Sequence, residues 1–316
     1  MKKLSHYKER LYLRMDAVKY IWYAKRFLND PINYFRKKPE ILMEIRQGDY
    51  NYEYFNFCYM NNILSLILYS LYHNCIPEIC INKGKEQVIQ WEWYFKQPFN
   101  CKEKNTFKII SCPRKTGSFS PKFQDIYCQK KLQIWQNMYQ RFVHFNSTTQ
   151  EYIDKEYKKL FEPNKKVLGV ICRGTDYITL KPAGHPVQPA VDNVIEYCKQ
   201  CMDKFEYDAI YLATEEKKIR DMFVHAFPDK ILENQRMYYD DIYYKESIQY
   251  IKDVHFNREN NNYWIGLEYL SSITLLSRCN SLVGGNCGGS MAALFMNNNQ
   301  YEHVHIFNLG LYPNKK

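Results

Sequence analysis

Apolar runs and polar breaks alternate most regularly in the second half of the chain. Val167–Cys172, Ala209–Ala213, Ser281–Gly284 and His303–Phe307 are short strand-like stretches, each bounded by turn-forming or charged residues. Between them, apolar positions recur at helical spacing over about 189–204, 216–226, 263–278 and 288–297. Strands alternating with helices predict an α/β fold, a parallel sheet with helices on both faces. In the first half, Leu11, Met15, Val18 and Trp22 fall on one face of a helix over 4–28. Asn61–His73 is the next strong helical segment, and Pro77–Ile81 reads as a short strand. Residues 95–125 are polar and irregular, the pattern of a loop near a binding site, and helical spacing returns over 124–160. Glu162-Pro-Asn-Lys-Lys166 reads as a linker, so two domains are expected, 1–164 and 165–316.

Composition narrows the class. The chain has 316 residues, 46% hydrophobic and 25% charged, as expected of a globular protein of two domains. Its net charge of +10 is uneven: residues 1–40 hold eleven Lys or Arg against four Asp or Glu. A basic surface suits phosphate-bearing partners. No basic arm and no zinc-finger spacing is present, so nucleic acid is not an expected partner. The helix over 4–28, flanked by Lys19, Lys25 and Arg26, suits docking on its own domain or peripheral contact with an anionic membrane surface. The longest apolar run, Ile63–Leu71, reaches about half of the ~20 residues that a membrane span needs. Eleven cysteines, an odd number without a leader-like segment ahead of them, fit reduced thiols and a cytoplasmic location. Cys198 and Cys201 form one isolated C-x-x-C within a helical segment, whereas a zinc site needs four ligands.

In an open parallel sheet, ligands bind beyond the carboxyl ends of the strands. Three such ends carry unusual chemistry: Arg173-Gly-Thr-Asp176, Ala213-Thr-Glu-Glu216 and Gly284-Gly-Asn-Cys-Gly-Gly-Ser290. The last lies between a strand and a helix, where backbone N–H groups and the helix dipole favour a phosphate. Asn286, Cys287 and Ser290 are placed to add side-chain contacts. The turn is neither a Walker A loop nor Gly-x-Gly-x-x-Gly. Arg173 offers a fork suited to a diphosphate and equally an ion pair with Asp176. Glu215 suits pairing with the N1–H and N2–H of guanine, or acts as an acid at a helix start.

Gly169-Val-Ile-Cys-Arg-Gly-Thr-Asp176, followed by His185-Pro186, resembles the first motif of the α1,6-fucosyltransferase and nodulation-fucosyltransferase group, where a strand ends in Arg-Arg-Thr-Asp ahead of His-Pro. Tyr211–Glu216 is similar to the second motif and Leu276–Phe295 to the third, in the same order, over residues 167–297. Asn61–Ile81 resembles more loosely the helix and strand that open the first domain of such enzymes. Three positions depart from the pattern: Gly174 replaces the second arginine, Ile171 a strand histidine, and Lys181 an acid proposed as the base.

The resemblance implies a GT-B architecture, two Rossmann-like domains facing across a cleft with the nucleotide held by the second. It implies that Arg173 contacts the β-phosphate, that Glu215 reads guanine, that Gly288, Gly289 and Ser290 bind phosphate, and that His185 lines the nucleotide pocket. Thr175, Thr214, Gly285, Asn286 and Cys287 complete the expected donor site, and Asp176 is the nearest remaining carboxylate for catalysis. With no Asp-x-Asp to hold an ion, the expected activity is metal-independent, inverting transfer of fucose from GDP-fucose to a bacterial surface glycan, oligosaccharide or lipid-linked. Another GDP-sugar such as a GDP-heptose, or a non-catalytic nucleotide- or glycan-binding protein, are the alternatives. The acceptor is not legible in these motifs.

Overall fold

The computed structural model of the chain describes residues 35, 37–46, 54–82, 90–101, 106–112 and 120–313. The helix expected over 4–28 lies outside the described residues. The chain divides into two compact units, Met1–Asn146 and Ser147–Lys316, each with a parallel sheet.

In the first unit, strand β1 (Ile41–Ile45) pairs in parallel with both β2 (Ile76–Ile79) and β3 (Lys108–Ser111). Between β1 and β2 runs helix α1 (Phe57–Tyr72), started by Asn56, whose side chain accepts from Tyr59 N at 2.9 Å. Its Ile63, Leu64, Ile67, Leu68 and Leu71 are buried, so the longest apolar run of the sequence is a core helix. Trp91 and Phe95 stack with centroids 4.4 Å apart, and Phe55 packs edge-on to Tyr94. β3 falls inside the stretch read as loop. It lies at the sheet edge and is largely exposed, so it carries no apolar signature. Helix α2 (Gln129–Phe142) completes the described part of this unit.

The second unit opens with helix α3 (Ser147–Leu160) and then alternates strand and helix. β4 (Val167–Ile171), α4 (Thr175–Leu180), α5 (Val191–Phe205), β5 (Ala209–Ala213), α6 (Lys217–Ala226), β6 (Ile231–Leu232), α7 (Asp240–Lys245), α8 (Asn261–Leu276), β7 (Ser281–Gly285), α9 (Gly288–Asn297) and β8 (His303–Phe307) follow in order. All five strands are parallel, in the order β6-β5-β4-β7-β8. The central strands β4, β5 and β7 are buried throughout. This is the α/β architecture that the strand–helix alternation predicts.

The division after Asn146, rather than after residue 164, follows from what α3 touches. Glu156 accepts from Gln235 N at 2.8 Å, Asp154 pairs with Arg278 at 3.0 Å, and Phe161 just beyond α3 packs on Tyr211 of β5. Glu162–Lys166 is then a turn within the second unit. Cys198 and Cys201 lie on α5 in the apolar core with Leu168, Val170 and Leu212, and burial raises both thiol pKa values.

Candidate active site

Strand order locates the site. From β4 the chain winds outward through β5 to β6, then returns to the other side of β4 as β7 and continues to β8. The β4–β7 boundary is therefore the switch point of the sheet, where the loops leaving two adjacent strands diverge and open a crevice. Register pairs Ile171 with Gly284, so Arg173 and the Gly285–Cys287 turn emerge side by side. Only glycine fits at 284: its φ is +157°, and a Cβ there would overlap the Ile171 carbonyl.

Arg173 is mostly buried at this edge. Its Nη2 donates to Asp176 Oδ1 at 3.2 Å, its Nε lies 3.5 Å from Glu215 Oε1, and its guanidinium sits 4.9 Å from the Tyr177 ring centre. Burial opposes the charge, but the acids beside it, Glu215 and Asp176, outweigh it, so the guanidinium stays protonated. Asp176 accepts from Ile251 N at 3.3 Å through its other oxygen. Burial raises the Asp176 pKa, partly opposed by Arg173.

The two acids after β5 turn toward the Arg173 loop. Glu215 Oε1 accepts from Gly174 N at 2.8 Å and from Thr175 Oγ1 at 3.2 Å. Glu216 Oε1 accepts a short hydrogen bond from Thr175 N and one from Tyr244 Oη at 2.9 Å. Both carboxylates are buried. Thr214 is buried too, and its hydroxyl accepts from Glu216 N at 3.3 Å. The structure thus directs Glu215 Oε1 at the Gly174–Thr175 loop, a use that the guanine reading does not include. Glu216 belongs to the Ala213-Thr-Glu-Glu216 strand end singled out in the sequence, but sequence reasoning assigned it no role of its own.

Across the crevice, α9 begins at Gly288 with Cys287 as its N-cap. Ser290 Oγ accepts from Cys287 N at 2.8 Å and donates to Cys287 O at 2.9 Å, and it is fully buried. The hydroxyl therefore closes the helix start. Asn286 and Gly289 are likewise buried, while Gly288 is partly exposed. First-turn amides such as those of Gly288 and Gly289 lack helical acceptors and remain the donors suited to an anion.

His185 joins the cluster through Tyr177, Nδ1 to Oη at 3.4 Å with the rings edge-on. Burial lowers its pKa and Asp176 opposes this, which favours a neutral imidazole near pH 7. Two residues were missed by sequence reasoning. Gln188 donates to Pro186 O at 3.1 Å and to Asn286 O at 2.8 Å, tying the His-Pro segment to the glycine-rich turn. Tyr269 on α8 places its hydroxyl beside Gly289 at the start of α9. Neither stands in a recognisable motif.

Arg173, Thr175, Asp176, Thr214 and Glu215 thus form one cluster, with the 285–290 turn beside it. Among the described residues, one group of acid and thiol side chains could hold a metal ion: Glu44, Glu78 and Cys80 in the first unit. Glu44 there is ion-paired with Arg46 at 2.6 Å, and none of the cluster residues belongs to the group. What the cluster can do is hold an anion between a buried guanidinium and a helix N-terminus, beside a carboxyl of raised pKa.

No protein-family profile matches the chain, and no curated protein matches it. Solved structures of similar fold include the fucosyltransferase NodZ from Bradyrhizobium, 12% identical, covering 86% of this chain and 96% of that one, with a TM-score of 0.45. POFUT1 in complex with GDP is 9% identical, covering 86% of this chain and 99% of that one, with a TM-score of 0.46. An arginine-to-lysine mutant of Arabidopsis thaliana FUT1 in complex with GDP is 10% identical, covering 96% of this chain and 80% of that one, with a TM-score of 0.49.

Proposed function

We propose that the chain is a glycosyltransferase of GT-B type, binding a nucleotide-diphosphate sugar at the β4–β7 switch point and transferring the sugar with inversion. The observation that carries the reading is the meeting there of Arg173 with the N-terminus of α9, on adjacent central strands. Breaking a sugar–phosphate bond leaves negative charge on the departing diphosphate while the sugar becomes oxocarbenium-like. Fixed donors aimed at that charge lower the barrier. Arg173 supplies a fork that binds two phosphate oxygens, and the first-turn amides of α9 add a second set of donors. Asp176, with its raised pKa, is the carboxyl available beside Arg173 to take a proton from the acceptor hydroxyl.

The resemblance of residues 167–297 to the fucosyltransferase motifs narrows the donor to GDP-fucose and the acceptor to a glycan, without a metal ion. Turnover of a panel of nucleotide sugars, with and without EDTA, tests this. GDP-fucose consumed in preference to UDP- and ADP-sugars, and unaffected by EDTA, is the expected result. A loss with EDTA that Mn²⁺ restores would replace the arginine-based leaving-group mechanism by a metal-based one.

A further inference from the structure

We propose that Glu216 is a positioning residue: together with Glu215 it clamps the backbone that follows Arg173 and so sets where the guanidinium points. The proposal rests on the reading of Arg173 as the cation that receives the diphosphate. Its own observation is that two consecutive amides are each held by a buried carboxylate. Gly174 N donates to Glu215 at 2.8 Å, and Thr175 N donates to Glu216. Thr175 has φ +44°, a conformation that a β-branched residue does not adopt unless its surroundings impose it. Successive N–H groups around such a residue form a concavity that takes anions. Here the protein fills it with its own carboxylates.

Capping does not account for the placement of the Glu216 side chain. Glu216 is the N-cap of α6, yet its side chain makes no capping hydrogen bond to that helix. It reaches back instead to Thr175, and it also accepts from the hydroxyl of Tyr244, an exposed side chain. A side chain at position 174 is incompatible with this arrangement, because a Cβ there would overlap the Glu216 carboxylate. Position 174 is where the resembled motif has its second arginine. In this chain the space is taken by an acid that fixes the loop, which leaves Arg173 as the guanidinium of the motif.

Kinetics of Glu216→Gln in the wild-type and Arg173→Ala backgrounds test the proposal, with GDP-fucose as substrate and melting temperature measured on each protein. Glu216→Gln keeps the length and an acceptor oxygen but removes the charge. We expect kcat to fall at least ~10-fold with KM for the donor changed less than ~3-fold, because a misaimed group costs most in the transition state. In the Arg173→Ala background the same substitution should change kcat by less than ~2-fold, since there is no guanidinium left to aim. A structural role would instead lower activity by the same factor in both backgrounds, and that result, or an unchanged kcat, overturns the proposal. If Glu216→Gln does not fold, Tyr244→Phe removes the second hydrogen bond to Glu216 from an exposed position. It should lower kcat ~2- to 5-fold in the wild-type background only, and an equal loss in both backgrounds, or none, counts against Glu216 in the same way. A wild-type protein that turns over no nucleotide sugar overturns the functional reading itself and this role with it, whereas an active wild type with fully active Glu216→Gln overturns the role alone.

Discussion

Arg173 and Glu215 face each other across the carboxyl ends of neighbouring strands, Nε to Oε1 at 3.5 Å, with Asp176 Oδ1 3.2 Å from Nη2 of the same guanidinium. The cation that would receive a diphosphate is thus held by two acids, both mostly buried. Binding a diphosphate there requires the guanidinium to share or exchange these partners.

Glu215→Ala should lower turnover and melting temperature together, because it removes acceptors from Gly174 N and Thr175 Oγ1 in a buried setting. Leaving such a donor unsatisfied costs about 1–3 kcal/mol. The preference for GDP over UDP, measured by thermal shift, should survive. Equal shifts for GDP and UDP in the variant, against a clear GDP preference in the wild type, would return Glu215 to the role of guanine reader.

Stability should carry a pH signature of the acids around Arg173. Burial raises the pKa of both Asp176 and Glu216, so the folded state holds these protons more tightly than the unfolded chain. Their contribution to stability therefore falls as pH rises from the ordinary carboxylate range through their raised values, and it returns on acidification. Asp176→Asn and Glu216→Gln should each flatten the decline of melting temperature over that window. An unchanged slope in both variants would show that the burial does not act on these groups.

Gly174→Ala should destabilise the protein by about 1–3 kcal/mol through overpacking against the Glu216 carboxylate. Adding Glu216→Ala should recover part of that loss, and a double-mutant cycle by urea denaturation measures the coupling. Strictly additive losses would contradict the contact.

Ser290→Ala should cost about 0.5–2 kcal/mol of stability, the range for losing an N-terminal helix cap. Its hydroxyl is bonded to Cys287 N at 2.8 Å and buried, so GDP affinity in the folded variant should fall by less than ~3-fold. A drop of ~10-fold or more at unchanged stability would make Ser290 a phosphate ligand after all.

The sequence shows the second unit more clearly than the first, for a physical reason. Its central strands are buried on both faces and read as apolar runs, and Ala209–Ala213 coincides with the strand as observed. β3, largely exposed at an edge, and the two-residue β6 carry no comparable pattern. In the site, Arg173 was legible because a charge ending a buried strand needs a reason. The contacts of Ser290 and Glu215 were not legible: the direction of a side chain depends on loop geometry that spacing along the chain does not encode. Gln188 acts through a folding contact between distant segments, so no local pattern marks it.

The most direct test of the account is the rate of GDP-fucose turnover by Arg173→Ala, measured beside its melting temperature. A guanidinium that stabilises the departing diphosphate predicts a loss of at least ~10²-fold, about 2.7 kcal/mol of transition-state stabilisation, in a protein that remains folded. Arg173→Lys should recover only part of it, because an ammonium lacks the two-pronged contact with phosphate. A well-folded Arg173→Ala protein with near-normal turnover would contradict the central claim.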